Sequence, residues 1–180
     1  MFTKLSPKIG ASLGAREDGF TLIELMVVVL IIAILIAIAI PTFLGARSRA
    51  QDRQAQSNIR NALLAEKTYY TDKQAYTSTS ASLADIESSL TFNSAPTTAD
   101  ASARQVGVTL PVASNTDIVC IGSKSKSGSV FLISDVASAA TSTDAGTYYN
   151  TGATPATSCP TALSDLTATG AGAGWSKTSW

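Results

Sequence analysis

Gly19-Phe20-Thr21-Leu22-Ile23-Glu24-Leu25-Met26-Val27-Val28-Val29 opens a stretch that is unbrokenly apolar over 25–40, and its reading decides the architecture of this 180-residue chain. Glu24 is the only formal charge between residues 20 and 46. As a helix, residues 20–40 would extend about 30 Å, the hydrocarbon thickness of a bilayer. Three roles fit that length. One is a plain transmembrane anchor. Another is a secretory signal peptide, with Lys4, Lys8 and Arg16 as its basic region and Ala37-Ile38-Ala39 as an A-x-A-like cleavage site. The third is a segment that rests in the membrane and later packs in a protein core. A carboxylate among membrane residues is costly and marks function or a specific partner. The plainer reading is that Glu24, near the end of the stretch, reaches back to the interface; position alone leaves the two even.

The whole-chain balance narrows the function classes. Lys plus Arg and Asp plus Glu are 13 each, so no bulk charge points to nucleic acid or an acidic substrate. Removing residues 1–19 takes away Lys4, Lys8 and Arg16 against Glu17 and Asp18 and leaves the balance close to neutral. There is no histidine, the commonest general acid–base group and metal ligand. A Ser–His or Cys–His arrangement is therefore impossible, and neither a P-loop nor a GxGxxG is present. The expectation is a non-enzyme with no cofactor and no metal. Cys120 and Cys159 are too far apart for a CxxC pair and too few for a zinc site. A disulfide or two buried thiols remain. A disulfide would place this part outside the cytoplasm and, by loop closure, contribute roughly 4 kcal/mol.

Residues 19–29 together resemble the processing site of type IV pilin precursors, and the likeness extends over residues 16 to about 70. It implies that a membrane peptidase cuts between Gly19 and Phe20 and methylates the new amine of Phe20. It also implies that Glu24 serves filament assembly and that Pro41 sits where such helices carry a proline. The implied fold is α+β: a long N-terminal helix, half membrane-spanning and half amphipathic, packed on a small antiparallel sheet. The implied partners are copies of the chain itself, the prepilin peptidase/methyltransferase, an assembly platform in the membrane, and lipid before assembly. In a filament, Glu24 would meet the Phe20 amine of a neighbour. An unpaired carboxylate in that low-dielectric core is heavily penalised, so the pair fixes register as well as attracting. Orientation rests on the resemblance and the disulfide reading, because Arg47, Arg49, Arg53 and Arg60 offset the basic leader.

The expected organisation follows: leader 1–19, assembly helix 20–41, amphipathic continuation 42–70, connection 71–105 and β-sheet head 106–180. Ile59, Ala62, Leu63, Glu66 and Tyr70 share one helical face, a mostly apolar stripe set to receive a sheet. Arg47, Arg49 and Arg53 form a basic face that either is solvated or meets lipid head groups or a neighbouring subunit. Pro41 removes a backbone donor and is expected to kink or loosen the helix. Within the connection, 83–87 is expected as a short helix capped by Ser80 or Ser82. Strands are expected at 106–112, 117–122 and 130–134, with 147–149 as a fourth, and 123–128 as a hairpin loop. The second and third strands are apolar on both parities, the pattern of strands covered on both faces. The placing of Cys120 in a strand and Cys159 in the tail resembles, in layout only, the disulfide-bounded C-terminal loop of many pilins. Trp175 and Trp180 read as packing residues that pin the tail, with partner binding as the other role.

Three rivals share parts of this pattern. Lys124 and Lys126 are too few cations for strong nucleic-acid binding by the head. A pseudopilin of a type II secretion system would share the cleavage site, Glu24 and the helix, but Asp135, Asp144 and Asp165 lack calcium-ligand spacing. An ordinary anchored surface protein would need neither Glu24 nor the cut before Phe20. The expected product is a major pilin, stored as a single-pass protein of the cytoplasmic membrane and extracellular once assembled. A pseudopilin or a minor pilin for adhesion or DNA uptake is the alternative.

Overall fold

The computed structural model describes residues 19–111, 115–138, 145–153, 158–160, 163–166, 174–178 and 180. The expected leader before Gly19, and Val112 and Asp144, lie outside the described residues. Helix α1 (Leu22–Lys73) is followed by α2 (Ser80–Ile86), β1 (Thr91–Asn93), β2 (Gln105–Thr109), β3 (Ile118–Lys124), β4 (Ser129–Val136) and β5 (Gly146–Ala153). The chain divides into two compact units, Met1–Thr42 and Phe43–Trp180.

The described part of the first unit is the apolar start of α1, long and apolar enough to cross a membrane. Pro41 lies inside α1. One residue on, Thr42 Oγ1 donates to the carbonyls of Ile38 (3.3 Å) and Ala39 (2.9 Å), a back-bonding pattern common where helices bend. In the second unit α1 is rich in Ala, Gln, Arg and Leu, all good helix formers. It ends at Lys73 because Gln74 turns left-handed, with φ 56°, and sends its N–H back to Tyr70 O at 2.8 Å.

The face that α1 buries is Ala55, Asn58, Ile59, Ala62, Ala65 and Glu66. Three alanines let the helix backbone approach the sheet closely. Against this face lie Val106 and Val108 of β2, Val119 and Ile121 of β3, and Phe131 and Ile133 of β4, in one core that also takes in Leu83 of α2 and Phe92 of β1. Ile59, Ala62 and Glu66 are thus buried, as the stripe predicts, with Leu63 and Tyr70 half-buried.

The sheet has five strands in the order β1-β2-β3-β4-β5. β2 to β5 are antiparallel neighbours, but β1 runs parallel to β2. The sheet is therefore mixed, a correction to the all-antiparallel expectation. The expected connection 71–105 also contains α2, β1 and a 3-10 turn at Ala101–Ala103. A three-residue strand among Ser, Thr and Asn carries almost no sequence signal; it exists because Thr91, Phe92 and Asn93 pair with Gln105, Val106 and Gly107. α2 starts earlier than expected, and its N-cap is Thr79, without a side-chain cap bond, in place of Ser80 or Ser82. The β3–β4 loop is also tighter than expected: Lys124 pairs with Val130, and Gly128 takes φ 102°.

Residues 118–123 of β3 and 130–136 of β4 are all buried, so both sheet faces are covered. Away from α1, Ile118, Val136 and Tyr148 pack with Leu166 and Trp175, and Cys120, Val130 and Leu132 with Cys159 and Trp175. The Cys120–Cys159 disulfide is formed, with a Cα–Cα distance of 5.8 Å. Trp180 packs on the α1 side instead, edge-on to Phe131 and Tyr149, with the Arg60 guanidinium 4.8 Å from its ring centroid. Its Nε1 donates to Leu132 O and Asn150 O, both at 3.1 Å. Both tryptophans are packing residues, on opposite faces of the sheet.

Gly107 and Gly122 face each other across β2 and β3. A Cβ on Gly107 would lie 2.2 Å from Pro96 N, and one on Gly122 would lie 2.5 Å from Pro96 O. This glycine pair lets the Ala95-Pro96 backbone cross the sheet. Gly107→Ala is expected to destabilise the second unit by about 1–3 kcal/mol through overpacking, read as a lower melting temperature by tryptophan fluorescence.

Candidate assembly site at the start of the helix

Gly19, Phe20 and Glu24 lie together at the beginning of α1. Gly19 has nothing within 4 Å of where a Cβ would be, and Phe20 is 81% exposed. From Phe20 to Leu44 every large apolar side chain is at least 48% exposed on the single chain. Burying one such side chain is worth about 1.5–3 kcal/mol. Summed over this segment the gain on covering it is tens of kcal/mol, well above the roughly 5–15 kcal/mol that holds an ordinary domain folded. This surface requires lipid or protein around it.

Glu24 has a local task that the sequence reading missed. Thr21 precedes the first helical residue, and Glu24 stands three positions later. Glu24 Oε2 accepts from the Thr21 backbone N–H (3.0 Å) and from Thr21 Oγ1 (2.6 Å), while Glu24 N–H donates to Thr21 Oγ1 (3.3 Å). This reciprocal capping box satisfies two of the donors that a helix start leaves open. Its signal in the sequence is Thr-x-x-Glu before an apolar run, overshadowed by the cost of the charge. The carboxylate is thereby held at the first turn, four residues from Phe20, where the positive end of the helix dipole favours it.

The remaining sequence candidates lie elsewhere. Arg47, Arg49 and Arg53 are exposed. Arg60 is engaged by Trp180. Lys124 and Lys126 are exposed on either side of buried Ser125 at the β3–β4 turn, whose Ser127 hydroxyl bonds Asp52 of α1. Asp135 is buried and holds Lys67 Nζ at 3.1 Å and the Tyr76 hydroxyl at 2.5 Å, so it acts as an internal tie between sheet and helix.

Residues 14–40 match the family described as the prokaryotic N-terminal methylation motif. The chain is 46% identical over 61 residues to the type IV major pilin protein PilA of Myxococcus xanthus, a match covering 34% of this chain and 28% of that one. It is 44% identical over 68 residues to the type IV wide pilus major component PilA4 of Thermus thermophilus, covering 38% of this chain and 52% of that one. The chain is type IV pilin-like. The type II secretion system core protein G of Pectobacterium carotovorum is also similar, at 36% over 66 residues, covering 37% of this chain and 42% of that one. This pilin-like chain thus matches about half or less of the length of these relatives. Its long apolar helix and small mixed sheet are consistent with the pilin-like α+β fold.

Thr21→Val removes both hydroxyl contacts of the cap and should cost about 1 kcal/mol at the start of α1. Amide exchange at residues 22–24, followed by NMR in detergent micelles, is then expected to quicken roughly fivefold.

Proposed function

We propose that this chain is a structural subunit of a type IV pilus, without catalysis of its own. A peptidase/methyltransferase cuts it between Gly19 and Phe20 and methylates the Phe20 amine. The observation that carries this reading is the bare apolar surface from Phe20 to Leu44 with one capped carboxylate, Glu24, at its head. Lipid covers that surface while the precursor waits as a single-pass protein of the cytoplasmic membrane. Copies of the same helix cover it after the assembly platform has drawn the subunit into an extracellular filament.

Glu24 gives this packing its register. The cut frees a positive amine at Phe20, four residues from the carboxylate, and a neighbouring helix in register brings its own amine to Glu24. A helix out of register leaves a carboxylate unpaired in an apolar core, which costs about 3–5 kcal/mol. Pro41, with the Thr42 back-bonds beside it, is the point at which α1 yields as helices adjust to their neighbours. A major pilin is favoured because the two pilins match at 46% and 44% identity. The 36% likeness to a secretion-system core protein supports a pseudopilin as the second reading.

Mass spectrometry of filaments sheared from the source cells tests the reading. An abundant peptide beginning at methylated Phe20 is expected; a cut chain held in the membrane fraction and absent from filaments would favour the pseudopilin, and an uncut chain would end both. Glu24→Val should leave cutting and membrane insertion intact yet lower filament yield at least ~100-fold. Normal filament yield from that variant would remove Glu24 from assembly.

A further inference from the structure

Glu66 interrupts the apolar face of α1 and is fully buried, with 0% of its surface exposed. Oε2 accepts the Thr77 backbone N–H at 3.2 Å, and Oε1 has no hydrogen-bond partner. Thr77 lies in the turn that leaves α1 and leads into α2. That turn begins at Gln74 in the left-handed region, a conformation disfavoured for a residue with a side chain. It is otherwise tied down by Tyr76, whose N–H reaches Thr116 O at 2.8 Å and whose hydroxyl reaches Asp135.

The charged and titratable groups around this point come from four elements. Tyr76 faces Glu66 from the turn, and Tyr70 of α1 stacks on Tyr76 with ring centroids 4.7 Å apart. Asp135 of β4 takes the Tyr76 hydroxyl and the Lys67 ammonium. Asp117, just before β3, takes the Tyr70 hydroxyl at 3.1 Å. The cation nearest in sequence is thus bound to another carboxylate, and Tyr76, pushed well above the ordinary tyrosine range by burial and by Asp135, stays neutral. Burial likewise pushes the Glu66 carboxyl up from 4.5 to about 8, against a smaller lowering by the Thr77 N–H.

We propose that Glu66 is a proton-operated latch: its neutral carboxyl holds Thr77 against α1, and loss of the proton drives the carboxylate outward to water and releases Thr77, the part of the turn that Tyr76 does not tie. A carboxyl whose proton is held more tightly in the closed state stabilises that state fully below its ordinary value. The stabilisation is lost as pH rises through the closed-state value. The working window is therefore from about pH 4.5 to about 8. The latch goes beyond the filament reading and does not depend on it.

Hydrogen exchange at Thr77, in the full chain solubilised in detergent, tests the latch against Glu66→Gln, which keeps an acceptor for Thr77 and cannot ionise. At pH 5.5 the two proteins should protect Thr77 alike. At pH 8.5 the wild type should exchange at least roughly tenfold faster than the variant. The wild-type melting temperature, followed through Trp175 and Trp180, should fall on the order of 10 °C across the same interval. The variant should fall less than half as far. Equal protection at pH 8.5 together with parallel melting profiles would overturn the latch. Should the variant not fold, a wild-type Thr77 protection factor that stays constant from pH 5.5 to 8.5 would overturn it as well.

Discussion

One helix must satisfy two surroundings, and most of the structure follows from that demand. Up to Thr42, α1 carries apolar side chains all round and can rest only in lipid or among other apolar helices. Beyond Ala46 it is charged on one side and small and apolar on the other. The alanines at 55, 62 and 65 bring the helix backbone close to β2, β3 and β4, and Ile59 fills the space between. A sheet of short strands in a Ser- and Thr-rich sequence would be marginal alone. Laid against a helix it gains a buried face without needing many large residues of its own.

The opposite face needs a second cover, which comes from the Ala95-Pro96 backbone over Gly107 and Gly122 and from the end of the chain. Leu166 and Trp175 pack on the outer side of the sheet, and the disulfide joins Cys159 to the middle of β3. Trp180 then returns to the helix side, where its ring meets Phe131, Tyr149 and Arg60. The result is three layers: α1, the sheet and this outer cover. Polar ties cross the inner boundary at a few points, notably Lys67 and Tyr76 on Asp135 and Asn58 on Ala101 O.

Strong patterns made the main features legible from residues alone. The unbroken run at 25–40 announces a helix that seeks an apolar medium, and the 3.6-residue stripe at Ile59, Ala62 and Glu66 announces the face that meets the sheet. Both parities of β3 and β4 are apolar because both sides are covered. The weak places are those where tertiary contacts overrule local preference. β1 is three residues long and is defined by its partner, so its parallel direction could not be read from Thr91-Phe92-Asn93. Gln74 occupies a left-handed position that glycine would normally signal. At the candidate site the charge of Glu24 was conspicuous, whereas its bond to Thr21 became evident only with the helix start in view.

The C-terminal cover is fixed at Cys159 by a covalent bond and at Trp175 by packing, both against the cluster of Cys120, Val130 and Leu132. Lengthening the chain between two such anchors costs little entropy, since loop closure grows only with the logarithm of length. A peptide inserted there is thus tolerated by the fold as long as Leu166, between the two anchors, keeps its buried place on the sheet.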